Sequence, residues 1–204
     1  MKKMPGRFFA KIPVYECSAI FSQDTMITAS GAARLLGMAF AKFLVIALVL
    51  PLIPAILFGF PLTATFALLT TGFVIEYGAA PVGILLGLSP VFVFYALMCT
   101  EIALFLCLFD IFDTIGNTSA PVSRFLERTH AYIHKSRIVE KYGILSLIPS
   151  EIIIGVYFNA PASWVLGWQK DNALVVTIAG YCVALAATIL ATIGLIGMYF
   201  PKLV

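Results

Sequence analysis

Charge is scarce in this chain. Asp, Glu, Lys and Arg make up 11% of its 204 residues, against roughly 25% in soluble domains. That shortage excludes an ordinary water-soluble fold. Cysteine is nearly absent too. Cys17, Cys99, Cys107 and Cys182 form no close pair, so neither a disulfide framework nor a zinc or redox motif is expected. Three of them sit in apolar runs, where a thiol serves as a small packing residue. The two histidines, His130 and His134, stand four apart in one segment. They would share a helical face, but no cysteine or second acidic pair completes a metal site. No Ser-His-Asp set, zincin helix or glycine-rich phosphate loop occurs, so no catalytic residue, metal or cofactor is assigned and an enzyme is not expected. An intramembrane enzyme pairing Glu76 with Glu151 is the minor alternative. No Gly/Ser linker divides the chain, so residues 34–204 read as one domain.

What fills the gap is apolar: 61% of the residues. The fold class this predicts is an all-α integral membrane protein. Residues 1–33 are mixed. Lys2, Lys3, Arg7 and Lys11 are interrupted by Pro13 and Glu16 before an apolar core forms, which favours a basic segment lying on the membrane surface over a cleavable signal peptide. Ser30-Gly31 reads as a loop or cap. A first crossing is predicted over 35–60, kinked in its second half by Pro51 and Pro54. Lys42 lies in its first third, where it either snorkels to the headgroups, the preferred reading, or pairs with Asp110 or Asp113. Phe43 to Ile75 carries no charge. As one helix it would measure ~50 Å against a ~30 Å hydrocarbon core, so a turn is placed at Gly59-Phe60-Pro61. A second crossing follows over 90–112, opened by Ser89-Pro90 and closed by Gly116-Asn117. Residues 119–138 place apolar side chains at three- and four-residue intervals and predict an amphipathic helix in the interface. A last crossing spans 172–200.

Two stretches resist assignment as plain helices. Residues 141–168 hold Pro149, Pro161, Gly155 and Glu151. They are too many for one straight span and too few for two. Residues 62–88 hold Glu76, Gly78 and Pro81. Each is read as a re-entrant helical hairpin, broken by those prolines and glycines. The first should turn around Glu76–Pro81. The two also echo each other. Ala80-Pro81, Leu86-Gly87 and Tyr77 recur as Ala160-Pro161, Leu166-Gly167 and Tyr157, always eighty positions on. Either composition produces this by chance, or the chain contains an inverted repeat, the usual construction of secondary transporters. Three crossings plus two hairpins put eleven Lys and Arg residues on one side, with Lys42 near it, and leave only Lys202 on the other. The positive-inside rule makes the crowded side, and the N-terminus, cytoplasmic in a cell membrane. The net charge of +3 is explained by this asymmetry, and no nucleic-acid partner is expected.

Three carboxylates fall inside apolar runs: Glu76, Glu101 and Glu151. A charge at mid-membrane costs ~3 kcal/mol or more. A proton, a polar partner or a cation must therefore offset it. One reading makes these acids the proton- or substrate-binding groups of a transporter, with Glu76 and Glu151 facing one central cavity. The other makes them neutral hydrogen-bonding struts. Tyr77, Tyr157, Asn159 and Trp164 should flank the hairpin tips, either to hold an organic cation against aromatic faces or simply to anchor and pack.

Glu76 followed by Gly78-Ala79-Ala80-Pro81 and Gly87-Leu88, then Glu140-Lys141-Tyr142-Gly143 with Pro149, resembles the small multidrug export family. That family is related to the DedA (VTT-domain) membrane proteins. The likeness covers roughly residues 70–200. It implies two re-entrant hairpins packed face to face and proton-driven or proton-gated transport of a small molecule or lipid. In DedA proteins the second hairpin carries arginines; here it carries none, which weakens the case for a phosphate-headed lipid. Membrane lipids, protons and the transported molecule are the expected partners, and three crossings are compatible with a homodimer. A passive scramblase is the alternative function.

Overall fold

A computed structural model describes residues 29–118 and 143–199, and these are helical with no strand. The first helical run is α1 (Ala29–Leu44), a π-helical turn (Val45–Val49) and α2 (Leu50–Leu57). Next come α3 (Leu62–Ile75), a 3₁₀ turn (Glu76–Ala79), α4 (Ala80–Leu85) and α5 (Pro90–Thr118). The second described stretch opens with a 3₁₀ turn (Gly143–Ser146), then α6 (Leu147–Ile153), α7 (Val156–Val165) and α8 (Lys170–Tyr199). The amphipathic segment 119–138, with His130 and His134, lies outside the described residues, as does most of 1–33.

Four stretches are long and apolar enough to cross a membrane: Gly31–Leu57, Leu62–Leu85, Pro90–Gly116 and Lys170–Leu195. Their outward faces are apolar. Val91 is 81% exposed, Ile153 78% and Phe58 75%. Water would not tolerate so much exposed apolar surface on a monomer, whereas lipid covers it without cost. The all-α, multi-pass membrane class follows.

Leu62–Leu85 is not straight. A Cβ on Gly83 would stand 2.9 Å from Leu68 Cδ1 and 2.8 Å from Val93 Cγ2. In a continuous helix, residues 68 and 83 would be about 22 Å apart. The chain therefore doubles back between α3 and α4. Residues 143–165 double back as well, since the Asn159 amide donates to the Leu147 carbonyl at 3.1 Å. The helix ends that follow match bond for bond. Leu86, Gly87 and Leu88 donate to Val82, Ile84 and Gly83. Leu166, Gly167 and Trp168 donate to Ala162, Trp164 and Ser163. Gly87 (φ +83°) and Gly167 (φ +68°) occupy the left-handed position that a Schellman ending requires. Long helices then start at Pro90 and Lys170, again eighty apart.

The ends of α5 show how the hairpins enter. The first leads straight into the α5 N-terminus, where Phe60 and Phe92 stack. The second lies at the other end, where Trp164 packs on Phe112 and presses against Gly116. The hairpins thus approach α5 from opposite ends, each over its own apolar cluster. Leu68, Leu97 and Leu185 belong to one cluster, and Phe105, Val156 and Ala160 to the other.

Several expectations change. Lys42 does not snorkel free. It pairs with Asp110 at 3.4 Å, and Lys170 pairs with the other oxygen of the same carboxylate. Ser30-Gly31 lies within α1, which starts before residue 35. Gly116 does not close α5; it lies inside that helix and makes room for the Trp164 ring. Trp164 is accordingly at the open end of its hairpin. A π turn just before Pro51 accommodates the missing proline amide, and Tyr95 donates at 3.4 Å to Leu50, whose carbonyl Pro54 cannot serve.

Gly83→Ala should lower stability by about 1–3 kcal/mol through overpacking, read as an earlier thermal midpoint in detergent. Gly37→Ala, in mid-helix with nothing within 4 Å of the added carbon, should not lower it, since alanine is the better helix former.

Candidate functional site

The two tips meet beside the middle of α5. The α3 helix stops because Glu76 adopts φ +52°, ψ −129°, the one positive φ among the described non-glycine residues. This region suits glycine, and a side chain there stores roughly 1–3 kcal/mol of strain. The neighbouring Gly78, expected to supply the flexibility, is not at positive φ. The second hairpin breaks at Gly155, with φ +89°. Its prolines do not make the break: Pro149 lies in the first turn of α6 and Pro161 inside α7. Pro81 sits in the first turn of α4, after its hairpin has turned.

Strain at Glu76 is offset by what its carboxyl finds. Oε1 accepts the Val156 amide at 3.1 Å. Val156 opens α7, and its N–H is one of the donors that every helix start leaves unpaired. A carboxyl there also meets the positive end of the helix dipole. The fit requires glycine at 155, because an added Cβ would collide with the Glu76 carboxyl, 2.5 Å from its Cδ.

The tips also exchange tyrosines. Tyr77 of the first donates its hydroxyl to the Ile152 carbonyl of the second at 2.8 Å. Tyr157 of the second donates to the Phe73 carbonyl of the first. Both acceptors lie in the last turn before a helix break, where carbonyls lose their intrahelical partners. Each tyrosine thus caps the other hairpin.

Glu151 is fully buried in α6. Its Oε2 accepts the Asn159 amide at 2.6 Å. Asn159 is buried too, and its oxygen accepts from the Ser150 hydroxyl at 2.5 Å. Glu101 comes from α5, one turn from Leu97 on one side and Phe105 on the other, between the two clusters. One carboxylate oxygen from each of Glu76, Glu101 and Glu151 lies within 4.8 Å of the others. They are close enough to share an ion. The acids are 8%, 1% and 0% exposed, so they form a closed site rather than the lining of an open cavity.

The structure therefore brings together Glu76, Glu101, Glu151, Tyr77, Tyr157 and Asn159. It adds three residues that sequence reasoning missed. Tyr181, 1% exposed, packs edge-on against Tyr77. Its only signal was position, eighty after Glu101 within a charge-free run. Gly180 brings α8 so close to α6 that a Cβ would stand 2.9 Å from the Ile148 carbonyl. Ser150 had no signal.

No family model, curated protein or solved structure matches this chain.

Asn159→Leu removes the amide that serves Glu151 Oε2 and leaves the Ser150 hydroxyl with the Leu147 carbonyl, at 3.1 Å, as its acceptor. The expected loss is about 1–3 kcal/mol for each buried group left unsatisfied. Resistance to SDS-induced unfolding measures it, and an unchanged unfolding midpoint would refute the role given to this amide.

Proposed function

We propose that this chain is a proton-coupled membrane transporter of the small multidrug export type, related to the DedA proteins. In this reading it moves a small molecule or lipid across the cytoplasmic membrane. The observation that carries it is the triad: three buried carboxyls, each from a different part of the fold, meeting where two broken-helix tips touch. Intramembrane acids at broken helices are the usual coupling groups of transporters.

The membrane topology belongs to the same proposal. The two doubled-back segments are re-entrant hairpins, one from each leaflet, and they form an inverted repeat. Three observations support this. The helix ends match at an offset of eighty. The tyrosines are exchanged reciprocally, as a two-fold relation between the hairpins demands. The hairpins approach α5 from opposite ends. Alternating access then consists of parting the tips on one side of the triad and then the other. The N-terminus faces the cytoplasm in this reading, together with the Lys42–Asp110–Lys170 cluster.

The test is reconstitution into liposomes loaded with a pH-sensitive dye. Lipophilic organic cations and a polyprenyl phosphate serve as trial substrates. Substrate-driven proton flux should fall at least tenfold in Glu76→Gln and in Glu151→Gln. Equal flux in wild type and both variants would end the proposal. Substrate movement indifferent to an imposed pH gradient would instead identify a passive scramblase.

A further inference from the structure

The hydrogen bonds of the triad leave part of it unanswered. Val156 serves Glu76, and Asn159 serves one oxygen of Glu151. Among the described residues, Glu101 Oε1 and Glu151 Oε1 are buried and receive no donor from outside the acidic set; there the two carboxyls face each other. A buried polar atom in that state costs on the order of 1–3 kcal/mol, more if charged. A residue outside the acidic set shares the condition. Thr177 Oγ1 is also buried without a partner. Thr177 lies one turn before Gly180 and Tyr181, on the face of α8 that touches Glu151 and Tyr77. Among the described residues, no basic side chain pairs with the triad, and both ion pairs are made by Asp110.

Spacing and donor type define what would satisfy these atoms. Oxygens bound to one hard ion at ~2.3–2.6 Å stand at most about 5 Å apart, and the three carboxylates fall within 4.8 Å of one another. The cluster is all oxygen. Without histidine or cysteine it suits Mg²⁺, Ca²⁺ or Mn²⁺ rather than zinc or copper. Each carboxyl has two oxygens to offer, and carboxyls that give up their protons to an ion in one buried place favour a divalent ion over a monovalent one. We propose that Glu76, Glu101 and Glu151 bind one hard divalent cation. The site is complete only while the tips touch, since Glu76 and Glu151 come from different hairpins. The binding does not depend on the transporter reading.

Mn²⁺ is the probe. The full-length protein in detergent micelles is titrated with MnCl₂ at fixed pH, and free Mn²⁺ is read by electron paramagnetic resonance. No gradient exists in micelles, so the outcome is separate from that of the flux assay. One ion per chain is expected, with affinity at least tenfold weaker in Glu101→Gln and Glu151→Gln. Asp110→Asn, outside the triad, should bind as the wild type does. If Glu101→Gln loses its monodisperse elution, Glu101→Asp decides: it keeps the charge, and weakened but retained binding is expected. No binding by the wild-type protein overturns the inference. So does equal binding in wild type and the triad variants, which would put the ion elsewhere. Displacement of Mn²⁺ by equimolar Na⁺, but not by Ca²⁺ or Mg²⁺, also overturns it.

Discussion

Backbone that breaks inside an apolar layer must find its hydrogen bonds within the protein. That constraint governs this fold. In the proposed re-entrant arrangement, lipid cannot supply a donor to the last carbonyls of α3 and α6, or an acceptor to the first amides of α7. The structure answers with side chains from the opposite hairpin. Tyr77 and Tyr157 cap each other's broken helices. Glu76 takes the amide that α7 exposes. The tips are consequently held by the groups that the breaks themselves left unpaired. A straight crossing would need none of these residues.

The same arrangement concentrates unusual chemistry in one place. Glu76 sits in a backbone conformation that only glycine adopts freely. Its carboxyl occupies space that only a glycine at 155 leaves open. Glu101 and Glu151 each keep a buried oxygen that no group outside the acidic set serves, among the described residues. Packing alone explains none of the three features: a glycine at 76 would relieve the strain and open the space beside Gly155, and apolar residues at 101 and 151 would remove the unmet oxygens. Strain and unmet polarity tend to persist where a site needs them. The surrounding core is ordinary by contrast: leucine, alanine and aromatic side chains closing over each hairpin.

How much was legible beforehand depended on the range of the signal. Glycine at Gly59 and Gly87 and proline at Pro90 act within a turn, so helix ends near them could be read from a few residues. Lys42 could not. Whether it meets water or Asp110 depends on how α1 lies against α5, a matter settled by packing far along the chain. Gly116 and Pro161 misled for a related reason. Each is locally a helix breaker, yet the Trp164 ring needs the first, and the second is carried within α7. Of the site, the acids and tyrosines stood out because polar groups are rare in apolar runs. Tyr181, Gly180 and Ser150 did not, because what distinguishes them is proximity.

The sequence by itself determined the medium and the elements. Scarce charge and long apolar runs require helices in lipid, and local turn chemistry sets where those helices stop, since both effects act over a few neighbouring residues. Only the tertiary structure decided that Glu76, Glu101 and Glu151 share one buried place, and that Gly155 rather than a proline makes the second break. Those outcomes depend on two hairpins reaching the same point on α5 from opposite ends. Contacts between residues so far apart in the chain exist only after the helices have packed.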